Sequence, residues 1–299
     1  MSDTNLPNDE KRAFENSIGV DGTSYSPVYL ETHDEKGIIE TATGFLVETE
    51  HCIALVTNWH VVTGKKRNTN TFRDELRCFP KGIKVSSYSF SGPNQILHEA
   101  TNWINIYKDD QCIEPNWFEH PEHGKLVDLV ALPMSRKPET TDVKIIYQQI
   151  SREIEWKQWF QGDRLLVVGY PYGLRTTIGA IWITGHIATD PATPLMVDGV
   201  GVPAFLVDAR TRSGQSGSPV IGRFKKGDMV FHQGKQYELN AAYMDFFLGI
   251  YSGRINSDSD LGYVWRPSLV RETVAELEKS GPYWPSIDKQ ESEAELTET

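Results

Sequence analysis

The chain has 299 residues, 39% of them hydrophobic and 11% aromatic. That is enough for one large domain or two small ones with a sizeable core, and too apolar for a globally disordered chain. A formal net charge of -11 argues against a general nucleic-acid binder, which needs a basic footprint. Three cysteines, Cys52, Cys78 and Cys112, do not make a disulfide framework.

Residues 1–20 are polar, without the apolar stretch of a signal peptide, and read as a flexible arm. No segment approaches the roughly 18 apolar residues that span a bilayer. Together with the cysteine count these features predict a cytoplasmic protein with reduced thiols and no membrane association. From residue 26 the pattern changes to short apolar runs rich in β-branched and aromatic residues, separated by polar turns: 28–30, 44–47 and 53–57. Residues 64–123 mix turn signals and polarity and give no clear elements. Strand-like runs resume at 126–132, 144–147, 164–169, 178–184, 204–207, 220–221 and 246–251. Many short strands punctuated by the 24 glycines and 16 prolines predict an all-β sandwich or barrel. Leu269, Val270, Val274 and Leu277 fall at helical spacing over 268–279, with Gly281 and Pro282 as stop signals. The main domain is thus expected over 21–281, and the acidic stretch 282–299 reads as a tail.

Three places carry chemistry. In Gly214-Gln215-Ser216-Gly217-Ser218-Pro219 a serine sits on a glycine-bearing turn. Such a turn can aim backbone N–H groups, here those of Gly214 and Ser216, at a developing oxyanion while Ser216 Oγ attacks. Alone, the motif reads equally as a Ser/Gly-rich loop. In Leu55-Val56-Thr57-Asn58-Trp59-His60-Val61-Val62 a β-branched run ends at a histidine, either a general base or a satisfied strand-end imidazole. In Leu126-Val127-Asp128-Leu129-Val130-Ala131-Leu132 a carboxylate interrupts an apolar run. A buried carboxylate needs a partner, and an imidazole N–H is a suitable one; a cap or turn residue is the alternative. The order His60, Asp128, Ser216 is that of chymotrypsin-type enzymes and differs from the subtilisin and α/β-hydrolase orders.

With these motifs the chain resembles trypsin-like serine proteases, and among them the DegP/HtrA protease domain. Thr57-Asn58-Trp59-His60-Val61-Val62, Asp128-Leu129-Val130-Ala131-Leu132, Val168-Gly169-Tyr170-Pro171-Tyr172-Gly173-Leu174 and Asp208-Ala209 before Gly214–Pro219 carry the resemblance, which spans about residues 40 to 255. It implies two six-stranded antiparallel β-barrels with the site between them and a short C-terminal helix. It also implies that Gly249-Ile250-Tyr251-Ser252-Gly253 lines the substrate cleft, with Ser252 near Asp128 and Gly253 against substrate backbone. Ser218 departs from the family's second glycine, a change expected to cost little. No sequence remains for a PDZ domain after about residue 270, so that family's quality-control role is not implied.

The substrate pocket is expected between 208–213 and the strand around 251–254. Arg210, Ser213, Tyr251, Ser252 and Gly253 are its candidate residues. Arg210, Arg212 and Arg254 either favour an acidic side chain before the scissile bond or point to solvent or pair with carboxylates such as Asp208; Tyr251 alternatively narrows the pocket for small apolar residues. His120 and His123, beside Glu119 and Glu122, read as a polar loop rather than a metal site. Cys52 reads as a buried inert thiol. The expected function is a serine endopeptidase needing no metal or organic cofactor, acting on a protein or peptide substrate and restrained by a regulatory partner or by loop ordering. A catalytically silent binding module on the same fold and an esterase are the rivals.

Overall fold

The computed structural model describes residues 22–66, 71, 79–91, 96–136, 143–145, 150, 158–176, 179–232 and 234–280. The expected arm at 1–20, the tail at 282–299 and Cys78 lie outside the described residues.

The first half is a sheet built from β1 (Pro27–Asp34), β2 (Gly37–Glu48), β3 (Cys52–Thr57), β4 (Gly82–Ser91), β5 (Ile96–Asn105), β6 (Phe118–Glu119), β7 (Val130–Arg136) and β8 (Val143–Ile145). Its order is β5-β4-β1-β2-β3-β7-β6, with β8 also paired to β4. The second half is a closed barrel. Its staves are β9 (Arg164–Gly169), β10 (Ile181–Ile187), β13 (Ala204–Ala209), β14 (Pro219–Lys225), β17 (Tyr243–Arg254) and β18 (Leu261–Trp265), in the order β10-β13-β18-β17-β14-β9. Two hairpins project from it: β11 (Leu195–Val197) with β12 (Val200–Val202), and β15 (Met229–His232) with β16 (Lys235–Glu238). The described residues are all-β apart from short helical turns, a five-residue helix α1 (Trp59–Thr63) and the C-terminal α2 (Pro267–Lys279).

The two halves differ in closure. The resemblance implies six strands closed on themselves in each, and the second half matches this. Among the described residues the first half has eight strands and no pairing between β5 and β6. The physical reason lies in β5. It pairs with β4 over ten consecutive residues, yet His98, Glu99, Thr101 and Asn102 are all exposed. Exposed polar and charged side chains along an edge strand discourage its pairing with a further strand.

Period-2 alternation sorts the buried side chains into three cores. Leu165 and Val167 of β9 point into the barrel with Phe205, Val220 and Leu248. Ile53 and Leu55 of β3 point into the first half with Leu30, Leu46, Val130 and Leu132. The intervening residues, Cys52, Ala54 and Val56 of β3 and Leu166 and Val168 of β9, meet in a third core between the halves. This explains why β3 is buried at every position and shows no alternation in polarity. Leu269, Val270, Val274 and Leu277, the helical stripe expected from the sequence, seal this third core. Each fully buried aliphatic side chain contributes about 1.5–3 kcal/mol of transfer free energy, so the join between the halves is a core in its own right.

Candidate active site

His60 follows β3 but is not on it. The strand stops at Thr57, and His60 stands in α1. Val61 and Val62 bury themselves in the first-half core, which turns the imidazole toward the cleft. Trp59 anchors the same turn by donating its indole N–H to Glu119 Oε1 at 2.8 Å. Asp128 likewise precedes β7, which begins at Val130. The Asn58 side-chain amide donates to the Asp128 backbone carbonyl at 2.7 Å, tying the two loops together.

The Asp128 carboxylate accepts the backbone N–H of His60 on Oδ1 at 2.9 Å. On Oδ2 it meets His60 Nδ1 at 2.6 Å and accepts the Ser252 hydroxyl at 2.5 Å. Burial by itself would raise this carboxyl, but the charge of His60 and the three hydrogen bonds outweigh it and hold the group at about 2. Ser216 Oγ lies 2.9 Å from His60 Nε2. The structure therefore joins Ser216, His60 and Asp128 in one line, as the sequence motifs predicted, and places Ser252 beside Asp128.

The turn carrying Ser216 is fixed mainly by backbone bonds. Gly217 N–H donates to the Tyr251 carbonyl at 2.9 Å, and Tyr251 N–H donates to Ser218 O at 2.8 Å. The Ser213 carbonyl accepts Tyr172 N–H at 2.6 Å. Because a trans peptide sets N–H opposite C=O, the Gly214 N–H is turned the other way. Neither Gly214 N–H nor Ser216 N–H has a partner among the described residues. Gly214 (φ +92°) and Gly217 (φ +86°) occupy left-handed conformations, and a Cβ would come within 2.3 Å of Tyr170 O at the first and 2.0 Å of Thr43 O at the second. Both glycines are required by backbone and by space.

Thr43 on β2 is the group that sequence reasoning missed. Its N–H donates to Ser216 O at 2.9 Å, and its hydroxyl donates to Gly214 O at 2.7 Å while accepting Tyr170 N–H at 3.1 Å. A threonine in a β-branched strand gives no sequence signal of such a clamp. Ser218 also differs from expectation. Its hydroxyl is fully buried without a partner among the described residues and presses on Gly169, where a Cβ would lie 2.1 Å from it. A buried unpaired hydroxyl costs about 1–3 kcal/mol, so this substitution is not free.

Beside Ser216 a cleft is lined by Thr211, Arg212, Ser213, Tyr251, Gly253 and Arg254, with Ala42 and Val61 on the opposite wall. Of the expected substrate-binding residues, Ser213, Tyr251 and Gly253 line it, and Ser252 lies behind it on Asp128. Arg210 does not line it; the residue is exposed beyond the end of β13, and its place is taken by Arg212 and Arg254. His120 is buried and bonded through Nε2 to Glu272 at 2.7 Å, and no metal-ligating group of three occurs among the described residues. Its role is to tie the loop before Asp128 to α2. Cys52 is buried, and its burial pushes the thiol pKa up, away from a reactive thiolate.

The chain is similar to solved serine proteases. These include Rv3671c of M. tuberculosis H37Rv in an inactive form (17% identity, TM-score 0.44, covering 91% of this chain and 96% of that one). They also include the HtrA-type protease AlgW with a tripeptide (16%, TM-score 0.48, 86% and 62%) and the serine endoprotease from Yersinia pestis (16%, TM-score 0.43, 88% and 69%). No protein-family model and no curated protein matches it.

Proposed function

We propose that the chain is a serine endopeptidase that cleaves peptide bonds through an acyl-enzyme on Ser216. The observation that carries this is the unbroken line from Ser216 Oγ to His60 Nε2 at 2.9 Å and from His60 Nδ1 to Asp128 Oδ2 at 2.6 Å. In this reaction Ser216 Oγ attacks the scissile carbonyl and His60 Nε2 takes its proton. Asp128 stays ionised, fixes the His60 tautomer and stabilises the imidazolium. The carbonyl oxygen, now negative, enters the space faced by the Gly214 and Ser216 N–H groups, each such donor typically supplying about 10²–10³ in rate. As the C–N bond breaks, His60 hands its proton to the leaving amine. A water then repeats the sequence on the ester and frees Ser216.

The test is a fluorophosphonate probe, which phosphonylates only an activated serine. The wild-type protein is expected to label and Ser216→Ala to remain unlabelled. Peptide and ester substrates run side by side then separate a peptidase from an esterase. Failure of the wild type to label, with the fold intact by circular dichroism, would point instead to a binding module on this fold.

A further inference from the structure

The cleft beside Ser216 combines an unusual floor with two arginines. Its floor is the pair Thr211 and Tyr251, 1% and 2% exposed, whose hydroxyls are bonded to each other. One proton suffices for that bond, so the second hydroxyl proton remains to be donated elsewhere. Burial pushes the Tyr251 phenol up to about 12, which keeps it a neutral donor at physiological pH. The ring cannot recede, because it packs on Gly262 so closely that a Cβ there would lie 2.4 Å from Tyr251 Cε2.

Arg212 and Arg254 also line the cleft. Arg254 donates to the Ser257 carbonyl at 3.0 Å, and Arg212 to the Thr211 carbonyl at 2.8 Å with Asp260 at 3.7 Å. Each guanidinium has five N–H donors, so both retain donors for a further acceptor. Both cations act electrostatically on the Tyr251 hydroxyl, opposed there by the carboxylate of Asp260. The one carboxylate among the lining residues, Glu40, comes from β2 on the opposite wall. That a chain of net charge -11 sets two arginines at this place is contrary to its overall balance.

We infer that this cleft receives a carboxylate side chain, glutamate or aspartate, from the substrate residue that precedes the scissile bond. The inference rests on the protease reading and sharpens it. An aliphatic side chain would leave the floor hydroxyl and the arginine donors unmet, and a lysine or arginine would meet like charge. A carboxylate meets a neutral O–H donor below and charge-assisted N–H donors at the side. Asparagine or glutamine satisfies the hydroxyl but gains nothing from the charge.

Product-like peptides identical except for a C-terminal Glu, Gln, Leu or Lys would be titrated into the Ser216→Ala protein by calorimetry. Internally quenched peptides with the same four residues before the cleaved bond would be given to wild type. The Glu peptide is expected to bind about 10-fold more tightly than Gln, in keeping with charge-assisted hydrogen bonds being roughly twice as strong as neutral ones, and to weaken more in high salt. Arg254→Gln should shrink the Glu-over-Gln ratio and Arg254→Glu should turn the preference toward Lys. Leu equal to or tighter than Glu, a Glu-over-Gln ratio that survives both Arg254→Gln and Arg212→Gln, or no binding by any of the peptides, would overturn the inference. Loss of the protease reading has a different signature: wild type neither labels nor cleaves any peptide, while the binding series on Ser216→Ala still decides the side-chain preference.

Discussion

The two halves hold their reactive groups by different means. In the first, His60 and Asp128 lie 68 residues apart but in the same half, joined by two direct bonds and by Asn58. From the barrel, Ser252 reaches Asp128 and Ser216 Oγ reaches His60 Nε2. In the second, the turn bearing Ser216 is not self-sufficient. Its carbonyls at Gly214 and Ser216 are held by Thr43, which belongs to the first half. His60 and Asp128 are thus held within one half, whereas the Ser216 turn draws its bonds from both halves. The contrast places the sensitive point of the site on β2, away from Ser216, His60 and Asp128.

The largest expected effect tests the first half alone. His60→Ala should lower kcat by about 10⁶, as removal of a triad base does, with the Ser216 turn unchanged, since no bond holding that turn involves the imidazole. Asp128→Asn keeps the shape but presents the wrong donor to Nδ1, and kcat should fall by about 10⁴ with KM little altered. Next comes the clamp. Thr43→Val strips a buried hydroxyl from Gly214 O and Tyr170 N–H, at a cost of about 1–3 kcal/mol, and should lower kcat by about 10² through misplaced N–H donors. Thr43→Ser should restore the rate. If Thr43→Val left kcat intact, the second half would be self-sufficient after all and the contrast would fail.

Acid sharpens the comparison from the side of stability. The Asp128 carboxyl is lower in the folded protein, about 2, than its ordinary value of 3.8. The unfolded chain therefore binds a proton first, so the stabilisation is full above pH 5 and is lost as pH falls through about 2. A shift of this size corresponds to about 2 kcal/mol. Unfolding free energies from urea titrations between pH 6 and pH 2 should fall by this extra amount in wild type relative to Asp128→Asn. The smallest effect is that of Ser252→Ala, which removes one of three donors to the carboxylate. It should cost about 10-fold in kcat, in line with about 1–1.5 kcal/mol for one hydrogen bond.

What could be read from the sequence follows from which residues broke a local rule. Asp128 within an apolar run and Ser216 between glycines each contradict their surroundings, and such contradictions mark function. The element types around them were less legible. His60 looked like the end of a strand because Val61 and Val62 continue the β-branched pattern, yet those valines are helical residues anchoring α1 in the core. The hairpin of β4 and β5 was unreadable for a different reason: β5 is exposed along nearly all its length and is held by its backbone ladder, which leaves no polarity period. Thr43 broke no rule at all. Its importance comes from a partner 171 residues away, a relation that no local pattern contains. Arg210 falls just past the end of β13 and Arg254 at the end of β17, and where those strands end relative to the cleft is not fixed by spacing alone.

The closed barrel also sets a timetable. His60, Asp128 and Ser216 all leave the ribosome well before β18, the stave between β13 and β17 that completes the ring at residues 261–265. The helix that seals the core between the halves follows at 267–279. A nascent chain carrying all three residues therefore still lacks the docking that brings Thr43 to the Ser216 turn. On the proposed function, hydrolytic power would arrive in a single late step, after the polypeptide that it could damage most readily, its own unfolded precursor, has been put out of reach.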